Sequence, residues 1–444
     1  MALWFGQAML VEGWRQDVRL TIRDGRIAGV ESGVPPRPGD ERHGIALPGL
    51  PNVHSHAFQR GMAGLAEQAG PGGDSFWTWR AAMYRFVDRL DPEGLRAIAA
   101  LAYVEMLESG FTRVGEFHYL HHDPAGEPYG DPAEMARAIV EAAKESGIAL
   151  TLLPVFYAHA GFGGGAPEAG QRRFVNDVDG FARLVEGARE ALASMDGAVL
   201  GVAPHSLRAV TADELAALLP LAPDGPVHIH VAEQQAEVDA CLAWSGQRPV
   251  EWLIDHAPVD ARWCLVHATH VTGEELAAVA RSGAVVGLCP ITEANLGDGI
   301  FPARAFLDGG GRIGMGSDSN VRIDAAGELC LLEYGQRLVH QARNVLAGGG
   351  GALWRTCLAG GAQALGQRGG LAVGAPADIV GLRADDVALV GRNGDQVIDS
   401  WIFGGRGLVD CVWRGGDRLV SGGVHVARAG VEARYSATMR ALLA

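Results

Sequence analysis

Four short stretches of this sequence bring together side chains that bind metal ions and move protons. They are Pro51-Asn52-Val53-His54-Ser55-His56, Val227-His228-Ile229-His230-Val231-Ala232-Glu233, Val266-His267-Ala268-Thr269-His270 and Gly314-Met315-Gly316-Ser317-Asp318-Ser319. Each couples an apolar run of strand type to polar groups at its end. Strand side chains repeat every two residues, so His54 and His56 project from the same side and two imidazole nitrogens can share one cation. His230 adds a third imidazole with the Glu233 carboxylate three residues beyond it, and His267 and Asp318 complete a ring. In a chain with 15 histidines, on the order of one His-x-His arises by chance. Coincidence at four separate strand ends does not explain the set. Three imidazoles and a carboxylate suit Zn2+ most naturally, and Fe2+ or Mn2+ can occupy the same shell. His228 points the same way two residues deeper and is expected to be a buried interior residue. His270 lies past its strand end and is expected to be structural.

The elements that must position these groups show in the hydrophobic pattern. Eight apolar runs of strand length fall near residues 48–53, 112–117, 149–156, 198–203, 226–231, 263–267, 284–288 and 312–316, separated by helical segments. Asp91-Pro92 opens one helix and Gly110 closes it; Asp131-Pro132 and Gly147 do the same for the next. This predicts a (β/α)8 TIM barrel, with a doubly wound open sheet as the alternative; both place function at the carboxyl ends of the strands. The ends of the chain alternate differently. VRLTIR and RIAGV flank a turn at Asp24-Gly25, and ADIVGL, DCVWR and DRLVSGG surround a turn at Gly415-Gly416, so both ends are expected to pair into one small β-sandwich domain. The expected division is residues 1–47 with 372–444 for the sandwich and 48–371 for the barrel.

Composition narrows the classes. At roughly 100–200 residues per domain, a chain of 444 residues holds two to four ordinary domains or one large barrel with an appendage. Hydrophobic residues are 48% and charged residues 20%, which excludes a disordered or collagen-like chain. The 37 Lys and Arg against 52 Asp and Glu leave a net charge of −15, the opposite of a nucleic-acid-binding footprint. Six scattered cysteines without a Cys-x-x-Cys pair indicate neither a cysteine zinc site nor a disulfide framework. With no signal-peptide pattern and no long apolar run, a cytoplasmic protein without a membrane partner is expected.

The His-x-His on the first strand, the histidines on the fifth and sixth and the aspartate on the eighth resemble the amidohydrolase superfamily. The His-x-x-Glu after the fifth strand is similar to that of its mononuclear zinc deaminases, which act on amidine-like carbon and include guanine and cytosine deaminases. The wording of LPGLPNVHSHAFQRGMAGL, SFWTWR, GEFHYLHH, GQRRF, PHSLR, HVAEQ and GSDSN is most similar to the formimidoylglutamate deiminase family. Members of that family convert N-formimino-L-glutamate to N-formyl-L-glutamate and ammonia in histidine breakdown. The resemblance implies that His54, His56, His230 and Asp318 bind zinc. It also implies that Glu233, His267 and Asp318 handle protons while hydroxide, formed because the metal lowers the pKa of water to about 7, attacks the formimino carbon.

A glutamate half with two carboxylates calls for guanidinium groups. By resemblance Gln59, Tyr119, His205 and Arg208 contact the substrate and Arg80 neutralises a carboxylate. Arg208 lies just past the fourth strand, in the mouth of the expected barrel. The glycine-rich run 158–173 with its basic pair Arg172-Arg173 reads as a mobile loop able to act as a lid. Two other functions remain open: a nucleobase or other heteroaromatic deaminase, which needs the same metal but a stacking pocket, and a non-catalytic binding protein, in which lost ligands are expected and none is lost here. A homodimer is the family expectation.

Overall fold

In the computed structural model, which describes residues 1–68, 73–346, 348–405 and 407–444, the chain opens with four strands, β1 (Ala2–Leu10), β2 (Gly13–Arg23), β3 (Arg26–Glu31) and β4 (Glu41–Pro48). Asp24 and Gly25 turn β2 into β3 with φ of 48° and 73°, the two positive angles that a tight hairpin matching strand twist requires.

The barrel strands follow: β5 (Leu50–Ser55), β6 (Phe111–His118), β7 (Ala149–Phe156), β8 (Val199–Leu200) and β9 (Ala203–Pro204) sharing the fourth position, then β10 (Val227–Val231), β11 (Trp263–His267), β12 (Val285–Leu288) and β13 (Arg312–Met315). They coincide with the eight apolar runs, because parallel strands covered on both faces are apolar on both faces. The parallel ladder runs β10-β11-β12-β13-β5-β6-β7-β8. Its two ends are joined by parallel bridges between Val202 and Val227 and between Ser206 and His230; the His228 N–H donates to Val202 O at 3.2 Å and the His230 N–H to His205 O at 3.1 Å. The sheet therefore closes on itself, and the open doubly wound alternative is set aside.

Local chemistry explains the helices that follow the first barrel strands. Helix α1 spans Phe76–Val87 and α2 spans Pro92–Ser109. Asp91 caps α2 by accepting the Gly94 N–H at 2.7 Å, and Gly110 ends it at φ 103°, as the punctuation predicts. The next helix starts at Glu134, slightly later than Asp131-Pro132 suggests, because Asp131 Oδ1 accepts the Ala133 N–H at 2.9 Å and holds the entry as a turn.

Strands β14 (Ile379–Leu382), β15 (Val409–Arg414), β16 (Asp417–Ser421) and β17 (Val424–His425) join the N-terminal strands in one ladder, β17-β16-β15-β14-β4-β1-β2-β3. Phe5 on β1 and Trp413 on β15 are separated in that ladder by two strands, yet their ring centroids are 5.9 Å apart. Three interstrand steps of about 4.8 Å could not bring them together in a flat sheet. The sheet curls until its faces enclose a separate core of Leu3, Phe5, Leu20, Ile379 and Trp413. The chain then ends in a helix, Arg428–Leu443, packed along α2. Among the described residues no helix is long and apolar enough to cross a membrane, and all six cysteines are free.

Candidate active site

The carboxyl ends of β5, β10, β11 and β13 meet at one mouth of the barrel, the end at which this architecture carries chemistry. His54 Nε2 stands 3.2 Å from His56 Nε2 and 3.0 Å from His230 Nε2, while Asp318 Oδ1 lies 3.4 and 3.3 Å from the His54 and His56 nitrogens. His56 Nδ1 faces the Phe117 carbonyl at 2.9 Å and His230 Nδ1 faces the His205 carbonyl at 3.1 Å. Both rings therefore carry a proton on Nδ1 and turn a bare Nε2 lone pair inward. Burial disfavours an imidazolium here, pushing His54 down to about 3 and holding His56 and His230 below the usual imidazole range. Neutral rings whose Nε2 atoms converge in this way suit a cation between them. Edges of this length belong to a tetrahedron with bonds of about 2.0 Å, whose edge is about 3.3 Å and whose bond length is that of zinc to nitrogen or carboxylate oxygen.

The backbone that aims these groups is unusual. Ala232, His267, Ala268 and Asp318 adopt φ of 51°, 68°, 47° and 45°, left-handed conformations that cost non-glycine residues on the order of 1–3 kcal/mol and persist only where the surroundings enforce them. At β13 the enforcer is Asn320. Its Nδ2 donates to Ser55 Oγ, His56 O and Asp318 O at 3.1, 3.1 and 3.0 Å, and its Oδ1 accepts the Ser317 hydroxyl at 2.6 Å. The His56 N–H donates to Asp318 O, and the Asp318 N–H to His54 O, both at 2.9 Å, stitching the first strand end to the eighth.

Three ionisable groups surround this cluster. His267 Nε2 is 3.8 Å from both Glu233 Oε1 and Asp318 Oδ2, and His267 Nδ1 is 3.2 Å from Glu293 Oε1. Burial opposes the imidazolium, but the carboxylates of Glu233, Glu293 and Asp318 outweigh it and raise His267 to about 10. Burial raises Glu233 above the ordinary carboxyl range, against the pull of His267 and Arg208. A carboxyl that holds a proton near neutrality and an imidazolium beside it are groups able to donate and accept protons at a reacting centre.

Above them lies a cavity lined by His56, His230, Glu233, His267 and Asp318 and by all five residues expected to touch a substrate: Gln59, Arg80, Tyr119, His205 and Arg208. Gln59 Nε2 donates to Tyr119 Oη at 2.8 Å. The His205 ring is held edge-on between Tyr157 and His230, at 4.6 and 5.0 Å. Arg80, on α1, lies over the Trp77 and Tyr84 rings at 4.9 and 5.4 Å and reaches Glu168 at 3.4 Å. Arg208 is mostly buried, its one ion pair among the described residues is a long one of 3.9 Å to Glu237, and its Nε has no partner. A guanidinium so placed is short of the counter-charge that burial demands.

A family model described as "Amidohydrolase family" matches residues 45–418, and one described as "Formimidoylglutamate deiminase HutF, N-terminal domain" matches residues 2–44. The chain belongs to the amidohydrolase family. It is 52% identical over 412 residues to the formimidoylglutamate deiminase of Pseudomonas aeruginosa, covering 91% of each chain. It is also similar to a solved amidohydrolase from Brucella melitensis, with 54% identity, a TM-score of 0.98 and complete coverage of both chains. A zinc-bound adenosine deaminase from Xanthomonas campestris shares the fold, with a TM-score of 0.82 at 22% identity over 100% of this chain and 98% of the other.

Other parts of this amidohydrolase depart from, or add to, the sequence reading. His228 behaves as expected, buried with Nε2 donating to Ala364 O at 2.8 Å, and His270 does not line the cavity. The loop 158–173 is tied down rather than free. Arg173 is fully buried and donates to His122 O at 2.9 Å and Leu90 O at 2.7 Å; Arg172 pairs with Asp88 at 2.7 Å; and Gln171 Nε2 donates to Tyr157 Oη at 2.7 Å. The basic pair is a fastener: each guanidinium spreads its donors over neighbouring carbonyls, and Arg172 adds the Asp88 carboxylate. Glu293, Glu237 and Asn320 escaped sequence reasoning. The one available signal was for Glu293, a carboxylate just past the seventh barrel strand.

Proposed function

We propose that this amidohydrolase catalyses the hydrolytic deimination of N-formimino-L-glutamate to N-formyl-L-glutamate and ammonia, a step of L-histidine degradation. The observation that carries the reading is the shared cavity: two guanidinium groups, Arg80 and Arg208, line the same space as the histidine cluster and the proton-carrying pair Glu233 and His267. The formimidoylglutamate deiminase of Pseudomonas aeruginosa at 52% identity supports the same substrate.

His54, His56, His230 and Asp318 would hold one Zn2+, whose ligand preferences match three imidazoles and a carboxylate. When bound, it supplies hydroxide at neutral pH by lowering the pKa of a water towards 7 and polarises the electrophilic carbon. The chain's own groups do the rest. Arg208 and Arg80 hold the two carboxylates of the glutamate half through charge-assisted bonds. Gln59, Tyr119 and His205, which line the same cavity, orient the formimino group. Asp318, held ionised beside the His267 imidazolium, takes the proton released when water becomes the nucleophile. Glu233 donates a proton to the formimino nitrogen as the carbon is attacked, and the proton lost from the new hydroxyl as the C=O forms is carried to the same nitrogen, so that it leaves as neutral ammonia. The barrel, residues 48–371, carries this chemistry, and residues 1–47 with 372–444 form the flanking sheet domain. A reducing, cytoplasmic setting fits the six unpaired thiols, and a homodimer is the expected assembly.

Ammonia release by the zinc-loaded protein from N-formimino-L-glutamate, guanine and cytosine at equal concentration tests this. Release from the formimino compound alone is the expected result. Release from a base alone would keep the metal machinery and overturn the assignment of the arginines, with Phe76, Trp79 and Tyr84 in the cavity then serving as stacking surfaces.

A further inference from the structure

We propose that Glu237 is a positioning residue that ties recognition of a substrate carboxylate at Arg208 to the placement of the proton donor Glu233; this rests on the deimination reading above. Glu237 sits on the first turn of the helix Gln235–Ser245 with its carboxylate wholly buried. Its Oε1 accepts the Ala232 N–H and its Oε2 the Glu233 N–H, both at 3.2 Å, and Oε2 also stands 3.9 Å from Arg208 Nη2. One carboxylate thus binds two successive backbone donors in the turn that carries Glu233, and on its other side faces the arginine beyond β9.

The turn needs that hold. Ala232 has φ 51° without being glycine, and the strain is sustained only while both N–H groups find acceptors pointing the same way. Arg208 is fixed at its backbone by the Gly161 N–H, which donates to Arg208 O at 2.8 Å. Its guanidinium meets protein charge on the Glu237 side, while its Nε has no protein partner and the side chain lines the cavity. A carboxylate arriving from the cavity therefore shares Arg208 with Glu237, and the position of that shared charge bears on the turn holding Glu233. Binding energy at the remote end of the substrate is in this way expressed in turnover as well as in affinity.

Glu237→Gln offers one acceptor where two are needed and removes the charge. In the zinc-loaded protein we expect kcat to fall about 10- to 100-fold, the range seen when a group supporting an active-site residue is removed, with metal content unchanged. KM for N-formimino-L-glutamate should rise, whereas an uncharged N-formimino alkylamine should show the loss in kcat without a change in KM. Combined with Arg208→Met, the total loss should be smaller than the product of the single losses. In a crystal structure of the variant, Ala232 should leave the left-handed region. An unaltered kcat, losses that simply multiply, or an unmoved 232–233 turn would each overturn the proposal. If the wild type releases no ammonia from N-formimino-L-glutamate, the substrate reading fails by itself, and the 232–233 turn in the variant's crystal structure still decides the role of Glu237.

Discussion

His267 Nδ1 donates to Glu293 Oε1 at 3.2 Å, and the same oxygen accepts the Cys289 N–H at 2.9 Å. The carboxylate is pinned by the backbone at the end of β12 and in turn fixes the imidazole, so that Nε2 faces Glu233 and Asp318. Glu293→Gln can present an amide N–H to Nδ1 and favour the wrong tautomer. Turnover is expected to fall about 10- to 100-fold, as for other groups that orient a functional histidine, with metal content retained. Steady-state kinetics alongside metal analysis would show it, and an unchanged rate would mean that His267 needs no such orientation.

Asp318 closes the cluster of His54, His56 and His230 with Oδ1 and approaches His267 with Oδ2. Asp318→Asn keeps its size and should leave folding intact, but it removes the negative charge that balances a divalent cation and the acceptor beside His267. A drop in turnover of roughly 10²- to 10⁴-fold is expected, the usual worth of positioned proton transfer. Wild-type turnover in a fully metallated variant would eliminate both roles.

Arg208 offers its guanidinium to the cavity with only a long ion pair behind it. Losing a charge-assisted bond worth about 1.5–3 kcal/mol corresponds to a fall in kcat/KM of roughly 10- to 150-fold. Arg208→Met should show that fall with the dicarboxylate substrate and little of it with an uncharged formimino compound. Equal losses on both would make the arginine structural.

Stability should depend on pH through histidines buried in neutral form. Burial lowers His228, which does not line the cavity, to about 4. The unfolded chain takes up this proton below about 6.5 while the folded chain refuses it, so the stability present above that value is lost as pH falls from 6.5 towards 4. The slope from one such group is about 1.4 kcal/mol per pH unit. Chemical denaturation of the metal-free protein across this range should show it, and His228→Gln should flatten the profile. A wild-type profile level from pH 7 to 4 would contradict a neutral His228.

Much of the site was legible because its residues sit on strands. The period of two aligned His54 with His56 and His228 with His230, and the strand-length apolar runs placed His230, His267 and Asp318 at equivalent ends. The supporting groups were not legible. Glu293 meets His267 from 26 residues away in the chain, Asn320 reaches back 264 residues to the His56 carbonyl, and neither pairing leaves a periodic trace. Arg172 and Arg173 lie in a glycine-rich run whose composition suggests motion. The carbonyls and the carboxylate that anchor them belong to α1, to the segment after it and to the chain beyond β6.

The sequence by itself determined the strand-helix alternation, the capping of α2 and the hairpin at Asp24-Gly25, since each depends on residues near one another in the chain, and it placed His54, His56, His230, His267 and Asp318 at or just past strand ends. Only the tertiary structure decided that β8 and β9 close onto β10, that the terminal strands form one sheet curled around Phe5 and Trp413, and that Ala232, His267 and Asp318 adopt left-handed backbone. Closure and strain of this kind are set by hydrogen bonds between distant segments, and no local propensity encodes them.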